Sequence, residues 1–468
     1  ALSVKYLGGF DNLFILRLPS AIVATLMVFF FYGFCRELTK EKYLPFIGAL
    51  VMATSLLVVQ QARVNSWDIY THVFMLGSLW QFLIVKRSKK LVNVMWAIFF
   101  FALSIYSKGP VSIYALWLPF IIAFGISENI EFLKKYKLQL TLALIAALIL
   151  GFSWNIYMFV FQPEASEFVL NKETNSWMNR HTRPFYFYLH FFIYIGIWTG
   201  FMISSFFYKY AAPRINRFGN YKFIILWVLI SIFLLSVVPT KKERYLLPAL
   251  VPMCLIVTFL MYSMWQAFKG KYHNKWDKVV LSASSLLIYI PAILLPFVLF
   301  FVFNRTLDVR TILFAFLVGI SGIVGIVFWR KKRVEYSFSV PVVIVCLYCV
   351  GLLPKSAEIF YNHPDYKGLT EIQEIKSVED LPFYFNGDAI DLKVIYAAGK
   401  PVFKLSSIDV LEPNNFPLVI ISYVPMENTF AKELQTNLET EFIGTFDINR
   451  KKSSTKVFVN KVDYKNNL

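Results

Sequence analysis

The sequence predicts an all-α polytopic membrane protein with a small C-terminal α/β domain, and three observations carry that prediction. Of 468 residues, 57% are hydrophobic and only 16% charged, with 48 Phe among them. A mean hydropathy of +0.56 leaves more apolar surface than a water-soluble core absorbs. The apolar residues fall in runs long enough to cross a bilayer, which takes about 20 residues at 1.5 Å of rise each. From Lys355 onward the composition turns polar and mixed.

Such runs occur at 13–35, 44–62, 68–86, 91–107, 110–127, 138–161, 185–208, 221–238, 246–268, 279–302, 311–329 and 336–353, giving twelve spans. The links between them alternate in charge. One set is basic, as in Lys86/Arg87/Lys89/Lys90 and Arg330/Lys331/Lys332/Arg333, and the positive-inside rule places it in the cytoplasm. The other set, residues 1–12, 63–67, 108–109, 162–184, 239–245, 303–310 and everything after 354, then faces outward. That leaves the amino terminus outside with no signal peptide and with Ala1 as first residue, so an additional upstream span is expected, thirteen in full.

The formal charge of +18 sits in short clusters between apolar runs, which reads as topology and not as a nucleic-acid surface. Cys35, Cys254, Cys346 and Cys349 all lie within apolar runs, where they are small core residues and not a disulfide framework.

The expected division is a membrane domain over 1–354 and an outer α/β domain over 355–468. In the latter, strands are expected at Leu381–Asn386, Leu392–Ala397, Pro401–Leu405, Phe416–Val424, Phe442–Ile448 and Lys456–Val462, with a helix at Met426–Glu441. It contains no phosphate loop, His-Cys cluster or nucleophile elbow, which favours a structural or acceptor-docking role.

Polar residues kept at a membrane face are candidates for function, and on the outward links they converge. Asp68 opens the third span, where capping and function are equally open readings. Lys108 occupies a Lys-Gly-Pro turn on the face where positive charge has no topological purpose. The link at 162–184, read as the longest outer loop, ends in Arg180, His181 and Arg183. The arginines offer planar bidentate donors to a phosphate, and His181 is a candidate metal ligand. The aromatic run from Phe185 to Tyr188 fits an interfacial belt. The densest group is Lys241, Lys242, Glu243, Arg244 and Tyr245, between two apolar segments. Its cations can neutralise an anion and Tyr245 can donate to it, while Glu243 can pair locally with a neighbour.

At these residues the chain resembles the integral-membrane glycosyltransferases of the GT-C fold. The resemblance is to the branch of lipid A aminoarabinose transferase and the bacterial protein O-mannosyltransferase-like enzymes. Asp68, the Lys108-Gly109-Pro110 turn, the His181-x-x-Pro184-Phe185-x-x-Tyr188 run and the Lys-rich link into Tyr245-x-Leu247-Pro248 carry it over residues 1–350. It implies thirteen spans, catalysis outside, and a polyprenyl-phosphate sugar as donor to a lipid, glycan or protein acceptor. It also implies an acidic general base in a first outer loop, followed by Lys-Pro; that loop would lie upstream of Ala1. Where the aminoarabinose branch tends to show Glu and Arg before the histidine, Glu167 matches the acid but Asn171 stands in place of the arginine.

Together these readings predict a hexosyl- or pentosyltransferase in the bacterial cytoplasmic (inner) membrane, with its C-terminal domain outside and membrane lipids but no nucleic acid as partners. Lys241, Lys242, Arg244, Tyr245, Arg180, Arg183 and Lys108 are the expected donor-phosphate ligands, Asp68 orients the acceptor, and a divalent metal at His181 is left open. The competing readings are a twelve-span secondary transporter and a lipid-linked sugar flippase.

Overall fold

A computed structural model describes residues 6, 12–64, 66–128, 130–179, 181–301, 308–355, 366–387, 390–405, 415–426, 438–448 and 455–465. Two compact units emerge. One comprises Pro19–Val302 and Asp308–Val350; the other comprises Ala1–Leu18, Phe303–Leu307 and Gly351–Leu468.

The helical unit is built as the apolar runs dictate. Its helices are α1 (Leu13–Leu38), α2 (Leu44–Ala53), α3 (Leu56–Arg63), α4 (Trp67–Ser88), α5 (Leu91–Lys108), α6 (Ile113–Ser127), α7 (Glu131–Lys135) and α8 (Lys137–Phe161). They continue with α9 (Pro163–Asn179), α10 (Phe185–Ser205), α11 (Tyr208–Ile215), α12 (Tyr221–Val237), α13 (Glu243–Lys269), α14 (Lys275–Phe301), α15 (Val309–Arg330) and α16 (Val334–Leu352). Among the described residues, nine helices are long and apolar enough to cross a membrane, or ten with α2 and α3 taken as one span bent by 54°. The shorter apolar helices α6 and α12 account for the remaining two expected runs.

Burial separates centre from rim. The apolar window of α13 is 100% buried while that of α8 is 11% buried, so α13 is the axis and α8 faces lipid. In hydrocarbon there is no hydrophobic force between helices, and packing with satisfied polar groups must hold them. Thr71 Oγ1 donates to the Ser104 carbonyl at 2.8 Å, and Ser104 and Ser112 join their hydroxyls at 2.6 Å, tying α4, α5 and the start of α6. At the opposite end Arg214 meets Asp277 at 2.7 Å, with the Tyr210 hydroxyl on the same carboxylate oxygen.

Two breaks in spans meet. The α2–α3 bend falls at Thr54–Ser55, whose hydroxyls donate to Leu50 and Val51 carbonyls, both at 2.6 Å. The α10 span is kinked at Gly196, with φ +72°, and Trp198 Nε1 donates to Thr54 Oγ1 at 2.8 Å. A Cβ on Gly196 would stand 3.1 Å from the Leu56 backbone nitrogen. Gly196→Ala therefore combines a left-handed backbone with a close contact, and the expected loss is about 2 kcal/mol, read as a lowered unfolding midpoint in detergent.

The expected long loop at 162–184 is mostly helix: α9 occupies Pro163–Asn179. Pro163 suits a first helical turn and Glu164 complements the dipole there. Phe168, Leu170 and Met178 are all exposed on it.

Among the described residues the other unit holds a five-stranded sheet in the order β2-β1-β3-β5-β4, formed by β1 (Phe383–Asn386), β2 (Val402–Lys404), β3 (Leu418–Ser422), β4 (Leu438–Asp447) and β5 (Lys456–Tyr464). β1 runs parallel to β2 and β3, while β5 is antiparallel to β3 and β4. The fully buried β3 is central. Two expectations fail here. Leu392–Ala397 is not a strand but part of helix α17 (Leu392–Ala398), begun by an Asp391 side-chain cap on the Lys393 nitrogen and ended by left-handed Gly399. A parallel β1–β2 pair requires a crossover, which α17 supplies. The helix expected at Met426–Glu441 is wrong at its end, since Leu438–Glu441 already belongs to β4; residues 427–437 lie outside the described ones.

Candidate functional site

Asp68 lies at the start of α4, where Ser66 caps the helix by accepting from the Asp68 nitrogen. Its carboxylate is 1% exposed and does more than cap. One oxygen pairs with Lys108 Nζ from the end of α5. The other accepts from Ser66 Oγ at 3.0 Å and stands 3.1 Å from Arg244 Nε in the first turn of α13. The Arg244 contact is an ion pair without hydrogen-bond alignment, because Nε has no geometric hydrogen-bond partner. Three helix ends are thus joined on one buried negative charge. A buried carboxylate needs compensation of this kind.

The cations are more open than the anion that holds them. The Lys108 side chain is 26% exposed and that of Arg244 40%. Lys108 Nζ sits 5.1 Å from the centroid of the Tyr245 ring, and Arg244 and Lys242 flank the same ring at 5.8 and 6.0 Å. Three cationic groups around one phenol make an anion-seeking surface at a helix start.

The link before α13 is pinned to residues 181–183. Thr182 and Thr240 form an antiparallel bridge, with Arg183 N donating to the Pro239 carbonyl at 3.2 Å and Lys241 N to the His181 carbonyl at 3.1 Å. This brings His181 and Arg183 to the link, and the Arg183 guanidinium lies 5.9 Å from the Phe187 ring. Tyr188 completes the fastening: its hydroxyl donates to the Lys242 carbonyl at 3.0 Å and accepts from the Lys242 nitrogen at 3.2 Å.

Lys241 does something other than expected. It is 3% exposed, and its ammonium donates to the carbonyls of Arg183 at 3.0 Å and Val238 at 2.6 Å. Burial pushes this ammonium below its ordinary pKa. Lys241 straps two segments together and is spent on backbone. Among the described residues the ion pairs of Lys108 and Arg244 run to Asp68. Arg180 lies outside the described residues. His181 has a left-handed φ of +56°. Among the described residues no group of three His, Cys, Asp or Glu side chains is placed to hold a metal, so His181 as a metal ligand rests on residue type alone.

Sequence reasoning placed Tyr188 in an aromatic belt and in the run that carries the resemblance, without a role of its own, and passed over His72. The latter lies one turn from Asp68, 2% exposed, with no hydrogen-bond partner for Nδ1. Its only signal was an i, i+4 spacing from a carboxylate. A cavity of about 360 Å³ lined by Glu37, Lys86, Arg87, Glu128 and Asn220 sits at the opposite helix ends and contains none of the nominated residues.

The chain is similar to known proteins. A family model described as dolichyl-phosphate-mannose-protein mannosyltransferase matches residues 3–155. The chain is 24% identical over 278 residues to an undecaprenyl phosphate-alpha-4-amino-4-deoxy-L-arabinose arabinosyl transferase 2 of Pseudomonas fluorescens strain Pf-5, covering 56% of this chain and 45% of that protein. It is 24% identical over 258 residues to the protein of the same description from strain Pf0-1, covering 53% and 46%. The chain thus matches about half the length of these curated relatives. The crystal structure of ArnT from Cupriavidus metallidurans bound to undecaprenyl phosphate superposes with a TM-score of 0.62 at 15% identity, over 98% of this chain and 86% of that one. The apo structure gives 0.63 at 13% identity, over 98% and 85%. The likeness shows the fold. The resemblance to GT-C glycosyltransferases similar to lipid A aminoarabinose transferase is borne out, as is the all-α polytopic architecture with a small C-terminal sheet domain.

Proposed function

We propose that the chain is a glycosyltransferase that moves a sugar from a polyprenyl-phosphate donor to a lipid, glycan or protein acceptor on the outer face of the bacterial cytoplasmic membrane. The observation that carries this reading is the burial of Asp68 between Lys108 and Arg244, beside Tyr245. It holds half-exposed cations where a membrane-embedded phosphate can reach them. The similarity to undecaprenyl phosphate arabinosyl transferases supports the same chemistry.

In the reaction the acceptor oxygen attacks the anomeric carbon, and the bond from that carbon to the phosphate oxygen breaks. The electron pair leaves on the phosphate, whose added charge must be stabilised, and the proton of a hydroxyl acceptor passes to that phosphate or to water. Preorganised cations do so without reorganisation at the moment of reaction. Lys108, Lys242 and Arg244 take that role, with Arg183 as a further ligand from the bridged segment, Arg180 as a candidate by residue type, and Tyr245 as an oriented donor. Lys241 fixes the link and Asp68 positions its two cations; at 1% exposure the carboxylate is shielded from an acceptor.

Residues 1–354 form the membrane catalytic domain, and 355–468 an outer domain that docks the acceptor. The exposed apolar side chains of α9 suit a helix lying in the membrane interface. A transporter or flippase is disfavoured because the described charges gather at helix ends, whereas transport sites lie near the midplane.

Radiolabelled lipid-linked sugar, incubated with purified protein and membrane acceptors, tests the reading. Transfer of label supports it. Vectorial movement without transfer would establish transport instead, and neither outcome would leave a scaffold. Lys242→Ala and Tyr245→Phe each lower transfer roughly 10²-fold with unchanged membrane insertion.

A further inference from the structure

We propose that the helix ends opposite Asp68 hold a binding site for a zwitterionic phospholipid headgroup, one that carries a phosphodiester and a primary ammonium. The site is the cavity of about 360 Å³ lined by Glu37, Lys86, Arg87, Glu128 and Asn220, a volume within the span of small-ligand sites, about 300–1,000 Å³. It draws no residue from the Asp68 cluster.

Its carboxylates stand where helix electrostatics alone would not put them. Glu37 lies in the last turn of α1, and Glu128 directly follows the last residue of α6. A helix C-terminus carries partial negative charge and favours cations, as Lys86 and Arg87 do at the end of α4. The acids meet these cations without exhausting them. Arg87 Nη2 is 3.1 Å from Glu37 Oε1, and the guanidinium has no second partner among the described residues. Lys86 Nζ is 3.6 Å from Glu128 Oε2, beyond hydrogen-bond length. Asn220 Nδ2 donates to Glu128 Oε1 and to the Ser127 carbonyl, both at 3.0 Å, which fixes that carboxylate on the cavity wall. The Phe124 ring lies 4.7 Å from Lys86 Nζ and packs edge-on against Phe223; both rings are buried and close one side of the cavity to water.

Two cations and two carboxylates sum to no net charge. A simple anion is drawn by one pair and repelled by the other, and so is a simple cation, whereas a ligand of both signs is favoured by all four. Phosphodiester oxygens accept charge-assisted hydrogen bonds from Arg87 and Lys86. A primary ammonium, with three donors and no acceptor, reaches Glu37 and Glu128. Depth selects a lipid over a soluble zwitterion. α1 and α4 are both long enough to span a bilayer, and Glu37, Lys86 and Arg87 occupy their final turns, the level of the headgroups.

Delipidated full-length protein is titrated in detergent with phosphatidylethanolamine, phosphatidylcholine or phosphatidylglycerol, and bound lipid is counted by native mass spectrometry. The wild type binds phosphatidylethanolamine about tenfold more tightly than either other lipid, on the scale of a charged hydrogen bond. The quaternary ammonium of phosphatidylcholine has no N–H to donate, and phosphatidylglycerol has no ammonium. Arg87→Gln weakens phosphatidylethanolamine binding about tenfold. Glu37→Gln/Glu128→Gln leaves the cations unopposed and binds phosphatidylglycerol at least as tightly as phosphatidylethanolamine. Glu128→Gln alone keeps an acceptor for Asn220, narrows the preference, and serves if the double variant misfolds. Equal wild-type affinity for the three lipids, or an unchanged ranking in the folded glutamine variants, overturns the proposal. Chain-free glycerophosphoethanolamine binding as tightly as the lipid overturns the assignment to a membrane lipid.

Discussion

Asp68→Asn destabilises the protein by about 3 kcal/mol and lowers sugar transfer at least 10²-fold. The substitution keeps shape and an acceptor for Ser66 but removes the negative charge on which Lys108 and Arg244 both close. Two cations are then left facing each other at three helix ends, and breaking a buried pair costs more than the pair contributes. The loss of activity exceeds what reduced folding explains, because the surviving folded molecules hold Lys108 and Arg244 in the wrong places. Thermal unfolding in detergent, set beside transfer normalised to folded protein, separates the two parts. A variant with wild-type unfolding and wild-type transfer would remove Asp68 from the centre of the site.

Lys108→Ala has the second large effect, a fall in transfer of about 10²- to 10³-fold, the scale of losing one preorganised donor to a developing anion. Lys108 pairs with Asp68 and lies 5.1 Å from the Tyr245 ring centroid, so its removal strips the phosphate surface while Arg244 still compensates the carboxylate. Stability therefore falls less than in Asp68→Asn. Lys108→Arg restores the charge but not the compact ammonium geometry, and recovers part of the activity. Steady-state transfer with saturating donor reads both variants.

Much of this is legible in the amino-acid sequence alone. Hydrophobic runs bounded by basic clusters gave each of the twelve spans a counterpart, down to the short α6 and α12. The reason is physical: in a bilayer a span's length is set by the solvent and not by its neighbours. The α/β unit was less legible. In Leu392–Ala398 the residues also suit a strand, and only the Asp391 cap and Gly399 stop argue for a helix. The link at 162–184 was read as loop because its polar residues mask a helix whose apolar side chains stay exposed.

At the site, residue type and membrane depth nominated Asp68, Lys108, Arg244 and Tyr245 one by one. What no local pattern could express is that one carboxylate joins three helix ends distant in sequence. Nor could charge density distinguish Lys241, spent on two carbonyls, from Arg244 three residues later, which reaches Asp68. Tyr188 is hidden in an aromatic run, and its hydroxyl gains meaning only from a partner on another element.

The central claim is that the cations keyed on Asp68 bind a lipid phosphate. The most direct measurement is the affinity of the purified protein for undecaprenyl phosphate, compared with the Lys108→Ala/Arg244→Ala double variant. The account predicts saturable binding by the wild type that weakens with salt, as exposed cations require, and a loss of at least tenfold in the folded double variant. Equal affinity in the two proteins would contradict it.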